Sequence, residues 1–133
     1  MATFNLKIVT PFGMHYEGQA EAITVRAVTG DISIWANHID IVTALGIGKA
    51  TVTVNGEKRT AACSGGVLSV IKGEVTVLAS TFEWADEIDL ERAKNALAKG
   101  KEELKSAKDS KNIEIARLRI KRALVRESVK TEH

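Results

Sequence analysis

The sequence predicts an α+β protein: an N-terminal β-sandwich, or flattened barrel, of about eight to ten short strands, followed by a C-terminal antiparallel two-helix hairpin. Hydrophobic residues alternate with period two up to about residue 84, and after it they recur at the helical steps of three and four. Residues 1–84 also contain all six aromatic residues and nine of the ten glycines. We therefore expect a sandwich domain over residues 1–84 and a helical hairpin over residues 85–133.

Short alternating runs between turn residues predict the strands. Phe4, Leu6 and Ile8 are separated by polar residues, as one buried face of a sheet requires. Asn55-Gly56 lies between two such runs and favours the positive φ angles of a two-residue hairpin turn. Further turn residues divide the segment at Pro11-Phe12-Gly13, Thr29-Gly30-Asp31, Ser64-Gly65-Gly66 and Lys72-Gly73.

Two narrow hydrophobic stripes predict the helices. The first stripe consists of Leu90, Ala93, Leu97, Gly100, Leu104 and Ala107, and the second of Ile113, Ala116, Ile120 and Ala123. Between them lies a short polar stretch in which Asp109 or Ser110 can cap the second helix. Two helices with such small seam residues bury too little apolar area to offset their ordering entropy, so the hairpin needs a surface, either its own sandwich or another protein.

The sequence shows no recognisable catalytic or metal-binding pattern. The three histidines, His15, His38 and His133, have no metal-ligand spacing with one another or with Cys63. Ser64 lies in a turn without the Gly-x-Ser-x-Gly pattern of a nucleophile elbow, and Gly46-x-Gly48 is more typical of a β-bulge than of a dinucleotide loop. We predict a non-catalytic protein without a metal site or catalytic cofactor.

Composition narrows the cellular setting. The chain has 133 residues, of which 44% are hydrophobic and 27% charged, and a formal net charge of +2. No apolar run approaches the ~20 residues needed to cross a bilayer, and no leader pattern precedes the first strand. A single cysteine is typical of a reducing compartment, so we expect the cytoplasmic side.

Basic residues are concentrated on the predicted hairpin. If the chain turns near Asp109, position 92 lies across from about 126 and position 99 from about 119. The cations that then converge are Arg92, Lys99, Arg119, Arg122 and Arg126. Such a cluster can hold a polyphosphate, with Asp89 and Glu83 free to accept hydrogen bonds from a ribose or base. The alternative is a solvated, ion-paired face, since glutamates are interspersed.

Nucleic acid is not an expected partner, because the helices carry no aromatic residue for base stacking.

The order of these parts resembles the epsilon subunit of bacterial F-type ATP synthase over essentially the whole chain. Three segments carry the resemblance in addition to the overall order. They are Leu6-Lys7-Ile8-Val9-Thr10-Pro11, Gly30-Asp31-Ile32 followed by Asn37-His38, and Ser64-Gly65-Gly66-Val67-Leu68-Ser69-Val70. The resemblance implies subunit contacts at Asp31, Trp35 and His38. One stretch departs from the family: Trp35 stands where Leu is usual, either as an exposed partner contact or as core filling.

A further segment, Ile88-Asp89-Leu90-Glu91-Arg92-Ala93, resembles the Ile-Asp-x-x-Arg-Ala motif of family members that have a nucleotide site. The ATP-binding residues that this implies are Glu83, Ile88, Asp89, Arg92, Lys99, Arg122 and Arg126. Lys99 replaces the family's arginine and lacks its planar fork, which implies weak binding.

The function implied by the resemblance is that of a non-catalytic central-stalk subunit with ATP as a regulatory ligand. Its expected partners are the gamma subunit, the c-subunit ring and, when the hairpin is extended, the catalytic alpha and beta subunits. It would then serve ATP synthesis coupled to proton or sodium transport, as a peripheral protein on the cytoplasmic side of the cell membrane. The alternative is a stand-alone nucleotide-binding or adaptor module unrelated to ATP synthase.

Overall fold

The computed structural model describes residues 2–132, which form ten strands followed by two helices. The strands are β1 (Phe4–Thr10), β2 (Gly13–Ala20), β3 (Ala22–Ala27), β4 (Gly30–Trp35), β5 (Ile41–Ala44), β6 (Ile47–Val54), β7 (Glu57–Ser64), β8 (Val67–Ile71), β9 (Glu74–Leu78) and β10 (Thr81–Trp84). A 3₁₀ turn, Ala85–Glu87, leads into helices α1 (Leu90–Ser106) and α2 (Ser110–Glu132). The predicted fold class is confirmed, with the strand number at the upper end of the expected range.

The strands form two five-stranded sheets packed face to face. The first sheet has the order β2-β1-β9-β8-β5, and the second has the order β10-β7-β6-β3-β4. All pairs are antiparallel except β1 with β9. Alternate residues point into a single core, whose buried members all belong to residues 4–84. The sandwich therefore has a core of its own, to which the helices contribute nothing.

One side of the sandwich is closed by aromatic side chains that join β2 of the first sheet to β10 of the second. The indole Nε1 of Trp84 donates a hydrogen bond to the carbonyl of His15 over 3.1 Å. The Phe82 and Trp84 rings meet edge to face with centroids 4.9 Å apart, and the Arg59 guanidinium lies 3.9 Å from the Trp84 ring centroid. These contacts hold the β1–β2 turn beside β10, next to the start of the helices.

Two residues of β6 and β7 that the sequence analysis singled out, Gly48 and Cys63, are closely packed. The β3–β6 ladder is interrupted between the Thr24–Thr51 pair and the Ala27–Leu45 bridge, an irregularity of the kind that Gly46-x-Gly48 predicts. A Cβ on Gly48 would lie 2.4 Å from Cβ of Arg26, so glycine is needed there. Cys63 is buried in β7, and desolvation raises the pKa of its thiol to about 11, which keeps it neutral and unreactive.

The two helices pack closely along the predicted stripes. Asp89 caps α1 by accepting a hydrogen bond from the Arg92 amide, and Asp109 caps α2 by accepting one from the Asn112 amide. A Cβ on Gly100 would lie only 2.9 Å from Cγ1 of Ile120, so this glycine sets the closest approach of the helices. The buried seam residues are Ala93, Gly100, Ala116 and Ala123. Among residues 2–132, no helix is long and apolar enough to cross a membrane.

The hairpin lies on its own sandwich, mainly through the C-terminal half of α2. Val129 is fully buried in a small apolar cluster with Ala62, Ala85 and Ile88. Three polar contacts surround this cluster: Arg126 with Glu83, Lys49 with Glu132, and Lys130 Nζ with the Ala85 carbonyl. Of the two surfaces that the sequence left open for the hairpin, the structure therefore shows the sandwich.

We expect the fragment 1–84 to fold without the helices, because all of the main core lies within it. The fragment 85–133 should be largely unfolded alone, since its seam is narrow and Val129 loses its contact with Ala62 of β7. Circular dichroism and thermal unfolding of the two separate fragments test this division. A disordered first fragment, or a second fragment that is stably helical and monomeric, would contradict it.

Candidate functional site

An open cleft of about 600 Å³ lies between the closed hairpin and the edge of the sandwich at β10. All seven residues that the resemblance assigns to ATP line this cleft: Glu83, Ile88, Asp89, Arg92, Lys99, Arg122 and Arg126. Arg119, the remaining cation of the predicted cluster, lines it as well. Side chains from β10, α1 and α2 thus form one site. Its binding of ATP stays a prediction.

The register of the hairpin explains how the cations converge. Gly100 lies against Ile120 and close to Cγ of Arg119, so the two helices meet within about two residues of the predicted register. Arg92 precedes Lys99 by seven residues, or about 10 Å along the helix axis. The cleft is therefore lined by basic side chains from the end at the sandwich to a point about two turns further out.

Ion pairs engage two of the five cations. Arg126 Nε donates to Glu83 Oε1 over 2.6 Å, with both side chains partly buried, and Arg119 is paired with Glu103 across the hairpin. Within residues 2–132, the other three, Arg92, Lys99 and Arg122, form no salt bridge. The ion-paired alternative therefore describes part of the cluster, and three positive charges still face the cleft without a carboxylate partner.

The carboxylates are less free than the sequence suggested. Asp89 Oδ1 accepts the amide hydrogen of Arg92 over 3.1 Å, because the first turn of α1 needs a cap. Glu83 Oε1 is held by Arg126. The expectation that both carboxylates are free to accept from a ligand is therefore wrong for one oxygen of each, and Asp89 Oδ2 and Glu83 Oε2 remain.

The β1–β2 turn supplies a wall of the cleft that the sequence analysis missed. Thr10, Phe12 and His15 line it from this side. Thr10 Oγ1 accepts a hydrogen bond from the Phe12 amide over 3.1 Å and lies 2.8 Å from His15 Nε2. About 75 residues of chain separate this turn from α1, so no local pattern links them. The only hint was an aromatic residue placed directly between Pro11 and Gly13.

No metal centre accompanies the cleft. In the part of the chain from residue 2 to 132, no three His, Cys, Asp or Glu side chains converge as ligands. His15 faces the cleft, and His38 Nδ1 lies 2.7 Å from the Ile39 carbonyl oxygen. His133 lies outside the described residues.

The three residues implied in subunit contacts are spread along the edge of the second sheet. Trp35 is 57% exposed, so the core-filling alternative is wrong and its side chain is available to a partner. Asp31 is paired with Arg26 at 2.9 Å and precedes Trp35 by four residues, or about 13 Å, along β4. His38 follows in the loop after Trp35. The structure therefore places Asp31 at one end of an edge strand and the other two residues at its opposite end.

Comparison with known proteins tests the resemblance. The family model described as ATP synthase, Delta/Epsilon chain, beta-sandwich domain matches residues 3–85. The ATP synthase epsilon chain of Caldanaerobacter subterraneus subsp. tengcongensis is 35% identical over 98% of this chain and 96% of its own length. That of Bacillus velezensis is 39% identical over 95% and 96%.

Solved structures show the same fold. A chain of the Euglena gracilis mitochondrial ATP synthase, in an assembly of OSCP, F1 and c-ring, aligns with a TM-score of 0.83 at 22% identity. The alignment covers all of this chain and 83% of that one. The family model and the epsilon-chain relatives, in contrast, show that the alternative of a module unrelated to ATP synthase is wrong. The chain belongs to the family of ATP synthase epsilon chains, which are non-catalytic subunits of that enzyme.

Proposed function

We propose that the chain is an ATP-sensing regulatory subunit of the central stalk, which couples the rotor to the c-subunit ring and controls ATP hydrolysis through its hairpin. The observation that carries this proposal is the cleft itself. Cations from α1 and α2 line one cavity with Glu83 of β10, and the cavity exists only while the hairpin is closed and docked. A ligand that contacts both helices therefore favours the closed state over any other.

The charges of the cleft match a nucleoside triphosphate. Arg92, Lys99 and Arg122 offer charge-assisted hydrogen bonds to phosphate oxygens, and Arg126 can add a further one by exchanging its contact with Glu83. A ligand that binds only the closed hairpin stabilises it by RT ln(1 + [L]/Kd), which is about 2.7 kcal/mol at a hundred times Kd. ATP concentration thus sets the fraction of closed hairpin.

The docked state is held weakly enough to be reversible. Its apolar contact with the sandwich is limited to a small cluster around Val129, and the ion pairs that surround it are exposed or half-exposed. Exposed pairs contribute only ~0 to 1 kcal/mol each. When ATP is scarce, the hairpin leaves the sandwich, extends toward the catalytic alpha and beta subunits and blocks hydrolysis.

The outer face of the first sheet offers a surface to the gamma subunit. One residue from each strand aligns across this sheet in register, and every one of the five is apolar and at least partly exposed. This apolar row is Met14, Val9, Leu78, Val67 and Ala44. The neighbouring row is polar except for Val42 at its β5 end, and it includes the Lys7–Glu17 ion pair. We assign the apolar row to the gamma subunit.

The edge of the second sheet is then left for the c-subunit ring. Asp31 lies near the start of β4, and Trp35 and His38 lie near its end, so the contact runs along an exposed edge. Through the ring, the subunit is held peripherally on the cytoplasmic side of the cell membrane. In this position it serves ATP synthesis driven by proton or sodium transport.

Substitution of Arg126 tests the ATP site. Charge-assisted hydrogen bonds are worth ~1.5 to 3 kcal/mol, so Arg126→Ala should weaken ATP binding roughly tenfold to a hundredfold in isothermal titration. Arg117→Ala is the matched control, because Arg117 is exposed on the same helix and does not line the cleft. Equal ATP affinity of the wild type and Arg126→Ala would show that the basic cluster is a solvated surface and not an ATP site. If the wild type bound no ATP at millimolar concentration, the proposal that the subunit senses ATP would be wrong.

Substitution in the apolar row tests the partner. Leu78→Asp places a charge at the centre of the row and should abolish co-elution with a purified gamma subunit in gel filtration, since a buried unpaired carboxylate is costly. Val28→Asp is the control, because Val28 is at least as exposed as Leu78 but lies at the β3–β4 turn. If Leu78→Asp co-eluted with the gamma subunit to the same extent as the wild type, the gamma subunit would bind at another surface.

A further inference from the structure

The cleft has two chemically different ends. Its outer end is basic, with Lys99, Arg119 and Arg122. Its inner end, against the sandwich, carries Arg92 and Arg126 as well, but it is also lined by the large apolar side chains Phe12, Phe82 and Ile88. A nucleotide is divided in the same way, into a flat base with polar edges and a polyanionic tail. The matching polarity implies one orientation, with the base toward the sandwich and the phosphates toward the outer end.

Phe12 is the one large aromatic side chain of the cleft that is not already packed. It is 86% exposed, whereas Phe82 is buried against Trp84 and His15. Phe12 lies in the β1–β2 turn at the inner end of the cleft. An exposed ring on the wall of a cleft can stack on a flat ligand without disturbing the core.

The turn that carries Phe12 is braced from within. Thr10 is 6% exposed, and its hydroxyl oxygen accepts the amide hydrogen of Phe12 and bonds to His15 Nε2. His15 in turn packs its ring against Phe82, with centroids 5.6 Å apart, and its carbonyl accepts the Trp84 indole hydrogen. The backbone at Phe12 is therefore fixed before any ligand arrives, which lowers the entropic cost of stacking.

We propose that Phe12 is the stacking platform for the base of the bound nucleotide, with the triphosphate directed toward Lys99 and Arg122. This inference rests on the proposed ATP site. It adds the β1–β2 turn to that site as a fourth element beside β10, α1 and α2. ATP then contacts both sheets of the sandwich as well as both helices, which fastens the hairpin to the sandwich more firmly than β10 alone.

The test compares ATP with inorganic tripolyphosphate, which has the phosphates but no base. Isothermal titration is carried out on the full chain as wild type, Phe12→Ala, Phe12→Trp and the control Val28→Ala, an exposed apolar residue in another turn. Circular dichroism checks that each variant folds. Loss of base stacking should weaken ATP binding by Phe12→Ala roughly fivefold to a hundredfold. Phe12→Trp should bind ATP at least as tightly as the wild type, tripolyphosphate should bind all four proteins alike, and Val28→Ala should match the wild type.

The outcomes separate this inference from the proposed function. ATP affinity unchanged in Phe12→Ala would overturn the stacking role and leave the ATP site intact. Equal weakening of Phe12→Ala and Phe12→Trp, or equal losses for ATP and tripolyphosphate, would overturn it too, since Phe12 would then act only through the shape of the turn. A wild type that binds no ATP would overturn both.

Discussion

The small-residue seam between α1 and α2 is the constraint on which the other features of the hairpin depend. Gly100 and alanines at positions 93, 116 and 123 let the helices approach closely, but they bury little apolar area. Two such helices do not repay their ordering entropy alone. The hairpin therefore needs external support, and in this structure Val129 and its neighbours on the sandwich provide part of it. Because the docked hairpin is stabilised by contacts outside itself, a ligand or partner can shift the population between its docked and undocked states.

Charge adds to this dependence. Closing the hairpin brings five cations together, and their mutual repulsion opposes closure. Glu83 and Glu103 offset two of the charges through Arg126 and Arg119, whereas the other three are left facing the cleft. A polyanion is the ligand that relieves the remaining repulsion. Under the proposed function, the residues that oppose closure of the empty hairpin are those that hold the phosphates, which is the property a concentration sensor requires.

How much of this was predictable from the sequence depends on whether the interaction is local. The strand pattern, the helix stripes and the grouping of Arg92, Lys99 and Arg122 follow from periods of two and 3.6, and they agree with the structure. The cap of α2 was predicted from residue type as Asp109 or Ser110, and the structure shows Asp109. The contacts between Glu83 and Arg126, and between the β1–β2 turn and the cleft, span 43 and about 75 residues. Such contacts are set by how the sheets close around Trp84, so no periodicity reports them. The sequence could not decide whether Trp35 is exposed or buried, for the same reason. Alternation along β4 does not show whether another part of the chain packs against the outer face of that strand.

The central claim is that ATP and the docked hairpin stabilise one another, and amide hydrogen exchange with and without ATP tests it most directly. Amides of α1 and of α2 from about Arg122 to Val129 should exchange more slowly with ATP, by up to about a hundredfold at a hundred times Kd. Amides of the central strands β8 and β9 should be unaffected, because the sandwich has its own core. Unchanged exchange of the helices at an ATP concentration that titration shows to be saturating would mean that ATP binds without holding the hairpin, which contradicts the account.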